Sequence, residues 1–582
     1  MKIIFILISI LIISLAGGSN ESLNIINSSE ILNKFRNNED VNYDAKLIDG
    51  NLFFNNSLNN KSSPIHFNIT IENSTIVGDV NLSYTKFNKV SFFNSTFTGS
   101  IIAKNSFFND ANFSFCKIYD KVDFTRSRFQ SSAKFDETNI NKSAIFLSCE
   151  FHSLADFKGT NFKDIADFRK VKFFNDLDFN EIIVKRDAYF SESVFSGNST
   201  FSKVNFKGTT SFMGCIFSEK VYFRGVTFNL ASDFRNVRFT KGATFSSCYF
   251  NEDCAMQGWT ASGPIVINHA VFGEDAKFQD SNFFNYTCFN CEFKRGCDFS
   301  NSKFKGDANF KFSKFGGDPD FSDVIFGKTV DLSNCIFNNT LRLKRSNFTG
   351  SVNLMDSAFH GDVFADDAIF NGILSMNRTQ YSCLYVRWSN LKKGILYNET
   401  AYHSLIKNFK NLGLFSDANE CYYAFMSEVG TQTAQQSISV HSLFYFFIYS
   451  ISRSLYGFGT KPEYPLIWSG ILIFVFAFYW YYKYRSVTTG SIFDRYGVVE
   501  SKKGVTVTVD MQSEFTRLLD AIKLSLNIFL SGTKLFFDPP EIPKRLTGSR
   551  IWMKRIYLVE RTLGAGFFFL FFFAISKMLL SY

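Results

Sequence analysis

Ala155-Asp-Phe-Lys-Gly-Thr-Asn-Phe-Lys-Asp-Ile-Ala-Asp-Phe168 places phenylalanines at 157, 162 and 168, five and then six residues apart. The same alternating step carried backward lands on Phe151, Phe146, Ile140, Phe135, Phe129 and Phe124. Carried forward it lands on Phe173, Phe179, Val184, Phe190 and Phe195. The walk meets an apolar residue at every step from Phe113 to Phe250 and continues, with one dropped residue between Phe289 and Phe299, to Phe370. An eleven-residue unit held this long is a repeat, and a repeat decides the architecture before any local reading. Two positions before most landings stand small or β-branched residues such as Ala133, Cys149, Thr160 and Val171, and the residue between is usually polar. Small-in, polar-out, Phe-in is strand alternation. Turn formers follow, as in Phe157-Lys-Gly-Thr and Phe195-Ser-Gly-Asn. Steps of five and six drift off any 3.6-residue face, which excludes a helix.

These units resemble the pentapeptide-repeat family in its Phe-rich form, A-D-F-x-x-A-x-F. Ala155 to Phe162 and Ala166-Asp-Phe168 carry the likeness. The resemblance implies a β-solenoid of square or flattened cross-section over 76–372, with Phe124, Phe129, Phe135, Phe146, Phe151, Phe157, Phe162 and Phe168 in the inner ladder. No unit can bury its ring alone, so stacking supplies the core. Two units per coil predict roughly thirteen coils at ~4.8 Å each.

Phe accounts for 75 of 582 residues, which the ladder explains, and net charge is +9. A chain of this length is expected to have several parts. Met1 to Gly18, an apolar run behind Lys2, reads as a secretory signal, with a start-proximal anchor as the alternative. Asn-x-Ser/Thr sites stop after Asn398, which agrees with export of what precedes it. Of eleven cysteines, Cys116, Cys149, Cys215, Cys248, Cys291, Cys297 and Cys335 hold the small inward position, as buried hydrophobes do. Cys288-x-x-Cys291 with Cys297 offers a zinc reading, but the ladder already accounts for two of the three, so neither metal nor cofactor is expected.

Residues 20–75 are placed to cap the repeat, with a short helix near Ser29 to Phe35. Gly258-Trp259 and Gly263-Pro264 suggest a loop extruded over 251–268. Residues 380–435 read as a helical connector. The last part, 440–582, holds an interfacial helix at 441–456, apolar spans near 465–484 and 556–576, and a shorter helix at 515–530. This order, with Tyr456-Gly-Phe-Gly-Thr-Lys-Pro462, resembles the two-span pore domain of the potassium-channel-like superfamily. The resemblance implies a homo-oligomer and a filter-like turn at Ser531, Gly532, Thr533 and Lys534. The turn departs from the family: stacked carbonyl rings need a Thr-Val-Gly-Tyr-Gly run, and a ring of Lys534 repels cations. The basic run from Lys483 to Arg561 places that loop inside and the solenoid outside.

The sequence therefore predicts a β-solenoid, a helical connector and a two-span pore-like module. Two functions fit. One is an integral membrane protein that conducts or senses ions. The other is a cell-surface structural or adhesive protein, with a protein or glycan ligand, whose helices only anchor it. Six scattered histidines offer no catalytic cluster, so no enzyme is expected. The rod's mixed charge argues against a nucleic-acid mimic.

Overall fold

The computed structural model describes residues 24–54, 67–391, 393–436, 440–489, 514–533, 538–540 and 550–580. The signal-like segment, most of the loop between the two apolar helices, and Lys534 lie outside the described residues. The chain divides into two compact units, Met1–Leu396 and Tyr397–Tyr582.

The first unit is a parallel β-solenoid. Short strands recur on each side of the coil. One side forms a sixteen-stranded sheet and the others join in one of forty-three strands. Ala144 stands opposite Ala166 and Ala166 opposite Ala188, so one coil consists of two of the eleven-residue units. The sixteen strands of the separate sheet correspond to about sixteen coils. This exceeds the thirteen coils expected because strands run past both ends of 76–372, to Leu52–Phe53 at one end and to Leu384–Tyr385, within the expected helical connector, at the other. The amino-terminal coils are built on Ile48, Leu52, Ile69, Ile76 and Val80, aliphatic residues that a phenylalanine walk does not detect. Solenoid strands reach back to Ile25–Asn27, which pairs with Leu47–Asp49. Helix α1, Ser28–Arg36, is N-capped by the Asn27 side chain and buries Ile31 and Phe35. Phe35 meets the rings of Phe54 and Phe67 at 5.1 and 4.5 Å.

Four columns of side chains fill the interior. Phe124, Phe146, Phe168, Phe190 and Phe212 stack at 4.6–5.4 Å with nearly parallel rings. Phe129, Phe151 and Phe173 form a second such column, and Phe135 and Phe157 belong to a third. Rings of adjacent columns meet edge-on, as Phe135 does with Phe146 at 84°. Offset stacking along a column and edge contacts across it are the two arrangements the ring quadrupole favours, each worth about 0.5–1.5 kcal/mol beyond burial.

The small inward position carries a second device. Thr138, Thr160, Ser193 and Ser357 each donate a hydroxyl to a backbone carbonyl one coil earlier, such as Thr160 Oγ1 to Phe135 O at 2.7 Å. Cysteine does the same: Cys149 Sγ reaches Phe124 O, and Cys215 Sγ reaches Phe190 O, both at 2.9 Å. The outward polar residue has its own role. Asp156, Asp178 and Asp320 accept the backbone N–H two residues on and fix the corner.

One corner per eleven-residue unit is left-handed, at Glu137, Ser148, Gly159, Lys170 and Glu181 among others. The residue missing after Phe289 is one of these corners. Asn268 pairs with Asn290 and Ala270 with Cys291, leaving left-handed His269 without a counterpart. The strand Thr287–Phe293 consequently runs straight through.

The expected loop at 251–268 is absent. Cys254–Ala255, Thr260–Ala261 and Ile265–Phe272 are solenoid strands in register with both neighbouring coils. Ala261 holds a place between Phe239 and Phe283, where a ring belongs. Trp259, fully buried, fills the gap from the small inward position, 5.0 Å from the Phe239 ring. Its Nε1 donates to Phe234 O at 2.8 Å, the bond a hydroxyl or thiol makes elsewhere. The glycines around it made an inward tryptophan look like a loop.

The second unit is helical: α2 (Glu399–Asn411), α3 (Phe415–Gln436), α4 (Val440–Tyr456), α5 (Glu463–Thr489), α6 (Glu514–Leu530) and α7 (Arg550–Leu580). Asn398 N-caps α2, accepting from Ala401 N. Segments Glu463–Lys483 of α5 and Ile551–Met578 of α7 are long and apolar enough to cross a membrane.

Candidate functional site

The two long helices of the helical unit turn much of their apolar surface outward. Phe474, Val475, Phe478 and Tyr482 of α5 face outward, as do Phe569, Phe572 and Phe573 of α7, with Phe478 and Phe569 each 68% exposed. Only 17% and 22% of the two apolar stretches is buried, so most of each faces outward. Leu443, Phe444 and Phe447 of α4 are also exposed.

Between α5, α6 and α7 lies a small apolar core with one buried acid in it. Glu560 is the one acidic residue in the apolar run of α7 and is completely buried. Its carboxylate accepts from Trp480 Nε1 of α5 at 2.8 Å and from the Ser525 hydroxyl of α6. Ser525 Oγ also lies 2.9 Å from Ile473 O. Trp480, Ala521 and Ile528 pack around the group. A buried carboxylate with two donors, one from each neighbouring helix, ties three helices to one point and fixes their rotation about their own axes. Glu560 stands out in the sequence as a lone acid in an apolar run. Trp480 and Ser525, 80 and 35 residues away, do not.

The four residues expected to form a filter-like turn follow α6. Ser531 is buried; its N–H reaches Asn527 O and its hydroxyl reaches Ile528 O, which closes the helix. Arg561 Nε donates to Ser531 O at 3.2 Å. Gly532 lies against the α7 backbone at Arg561 and Ala565, and Gly564 lies against Phe529 O, so a Cβ at either position would collide. Thr533 is half-buried and Lys534 is outside the described residues. The reciprocal glycines give the turn a packing role: they let α6 and α7 touch backbone to backbone.

Tyr456 to Pro462, the other element of that resemblance, is a tight corner between α4 and α5. Gly457, Phe458 and Gly459 all have positive φ, and Phe458 is buried. Lys461 pairs with Glu420, and Lys577 Nζ donates to Phe458 O at 2.8 Å.

All eleven cysteines are free, and nine are buried; Cys288 and Cys383 are half-exposed. Burial pushes the thiols of Cys116, Cys248 and Cys335 up to about 12. Alternation along the strand turns Cys291 inward and Cys288 outward. Among the described residues no group of three His, Cys, Asp or Glu is arranged to hold a metal. The solenoid surface is laced with coil-to-coil ion pairs, including Arg128–Glu150–Lys172, Arg345–Asp323 and Arg378–Asp356. Burial pushes the Glu150 carboxyl up, but its bonds to Arg128 and Lys172 outweigh this and hold it below the ordinary range.

The family described as pentapeptide repeats matches residues 135–183, 146–194, 201–248 and 289–336. All four segments lie within the solenoid, so those coils are similar in sequence to pentapeptide repeats. No curated protein and no solved structure matches the chain.

Proposed function

We propose that this is a membrane-anchored, non-enzymatic display protein. In this reading α5 and α7 cross the bilayer, α4 lies in its interface, and the pentapeptide-repeat solenoid is held outside the cell to meet a protein or glycan ligand. The observation that carries it is the broad outward apolar surface of α5 and α7, stable in lipid and costly in water. The basic residues between the spans and the signal-like amino terminus support the outward orientation.

Alkaline carbonate extraction, followed by protease treatment of intact cells, tests both parts. The expected result is retention in the membrane pellet, digestion of the solenoid from outside, and protection of a tag inserted between the spans. Release by carbonate refutes the anchor, and a protected solenoid refutes the orientation.

A second reading, ion conduction by a homo-oligomer of the helical module, is favoured by one observation: Glu560 is a buried carboxylate shared by α5, α6 and α7. Liposome flux above the lipid background that changes in Glu560→Gln supports it; no flux refutes it.

A further inference from the structure

A cavity of about 370 Å³ opens where α2 and α3 meet the last turns of α7. Lys410 from α2, Asn419 from α3, and Ser576 and Lys577 from α7 line it, and each can donate a hydrogen bond. No carboxylate lines it. Lys410 and Lys577 have no acidic partner within salt-bridge distance among the described residues, and the nearby Glu420 is taken by Lys461. Lys577 is held in place without being neutralised. One N–H goes to Phe458 O at 2.8 Å, and the ammonium sits 4.1 Å over the Tyr422 ring, which also lines the cavity. An ammonium has three N–H groups, so two remain.

From these features we infer that the cavity binds a phosphate-bearing anion, of the class carried by phospholipid headgroups. Two lysines, an amide and a hydroxyl lining one cavity with no acid suit an anion. Phe573 points to the lipid as the source. It lines the cavity, is 45% exposed, and belongs to the outward apolar row of α7, so a glycerol backbone seated here would lead its acyl chains onto that row. The choice of lipid rests on the membrane reading above; the anion site does not.

The full chain in detergent micelles is titrated with dihexanoyl phosphatidylglycerol, dihexanoyl phosphatidylcholine or inorganic phosphate, with binding read by native mass spectrometry and thermal shift. The anionic lipid should bind saturably, phosphatidylcholine roughly tenfold more weakly, and Lys410→Gln should lose about tenfold for the anionic lipid. Lys577→Arg should retain binding, whereas Lys577→Gln should lose it. Because Lys577 also holds the α4–α5 corner, the Lys410 variant decides the matter if Lys577→Gln does not fold. Unchanged binding in Lys410→Gln, or equal binding of the two lipids, overturns the site. Inorganic phosphate binding as tightly as the anionic lipid overturns the lipid source and supports a soluble phosphate ligand. Carbonate release of the chain, with phosphate binding still lost in Lys410→Gln, overturns the membrane reading and supports the anion site.

Discussion

Trp259 offers the sharpest test of how the solenoid is filled. Replacing it with serine restores the residue type found at the equivalent position one coil later, Ser281, whose hydroxyl also donates backward. A serine can still satisfy Phe234 O but leaves the volume of an indole empty above Ala261. The surroundings cannot collapse into that hole, because coils on both sides are pinned by strand pairing. The cost should therefore sit in the large-to-small range, about 3–5 kcal/mol. Trp259→Ala should add about 1–3 kcal/mol by leaving the carbonyl unpaired as well. Adding Ala261→Phe to Trp259→Ser rebuilds an ordinary coil, with a ring between Phe239 and Phe283. The double variant should return to within about 1 kcal/mol of the parent, a coupling that independent sites do not show. Urea titration of the full chain in detergent, followed by far-ultraviolet circular dichroism and by hydrogen exchange over 232–287, reads the effect. A double variant no more stable than Trp259→Ser would show that the indole is not standing in for a missing ring.

Other outcomes follow from the same geometry. Gly564→Ala should destabilise the helical module by about 1–3 kcal/mol, the usual cost of overpacking. Its Cβ would overlap Phe529 O, whereas Gly566→Ala, with open space around it, should be neutral in a detergent melting assay. Glu560→Ala should cost about 1–3 kcal/mol or more by stranding buried donors. Those donors are Trp480 Nε1 and the Ser525 hydroxyl, and Glu560→Gln should lie closer to the parent in the same assay. Maleimide should label Cys288 and Cys383 in the native chain and spare the nine buried thiols until denaturant is added, as counted by intact mass. Unfolded thiols ionise near pH 8.5, whereas burial keeps the Cys116, Cys248 and Cys335 protons up to about 12. That stabilisation is complete below the unfolded value and is lost as pH rises through the folded one. Alkaline melts should therefore fall between about pH 9 and 11, and less steeply when the three are serine.

The solenoid was legible because one residue type did most of the filling. Where phenylalanine gave way, the reading failed. The first coils, packed on isoleucine, leucine and valine, read as a cap in the sequence, and the coil around Trp259 reads as a loop. In both places a column position is identified by what lies above and below it, a full coil away along the chain, and not by its own type. The cysteines were placed inward correctly, but their role as hydroxyl substitutes depends on a carbonyl 24–25 residues earlier. In the helical unit the apolar lengths showed where helices run. The Trp480–Ser525–Glu560 meeting point joins three separate segments, and the only sequence signal for it was an isolated acid in an apolar run. Gly532 resembled part of a filter because a glycine for carbonyl exposure and a glycine for backbone contact look alike in one dimension.

The backward-reaching side chains also give the stack a direction of growth. Each hydroxyl or thiol finds its acceptor in a coil already made, so a ribosome delivers every donor after its target. Coils can therefore be laid down in the order of synthesis, each closing the open end left by its predecessor. A chain stopped early would end in a ring of unanswered carbonyls and N–H groups, a raw edge inviting another strand, whereas the other end is covered from the outset by α1.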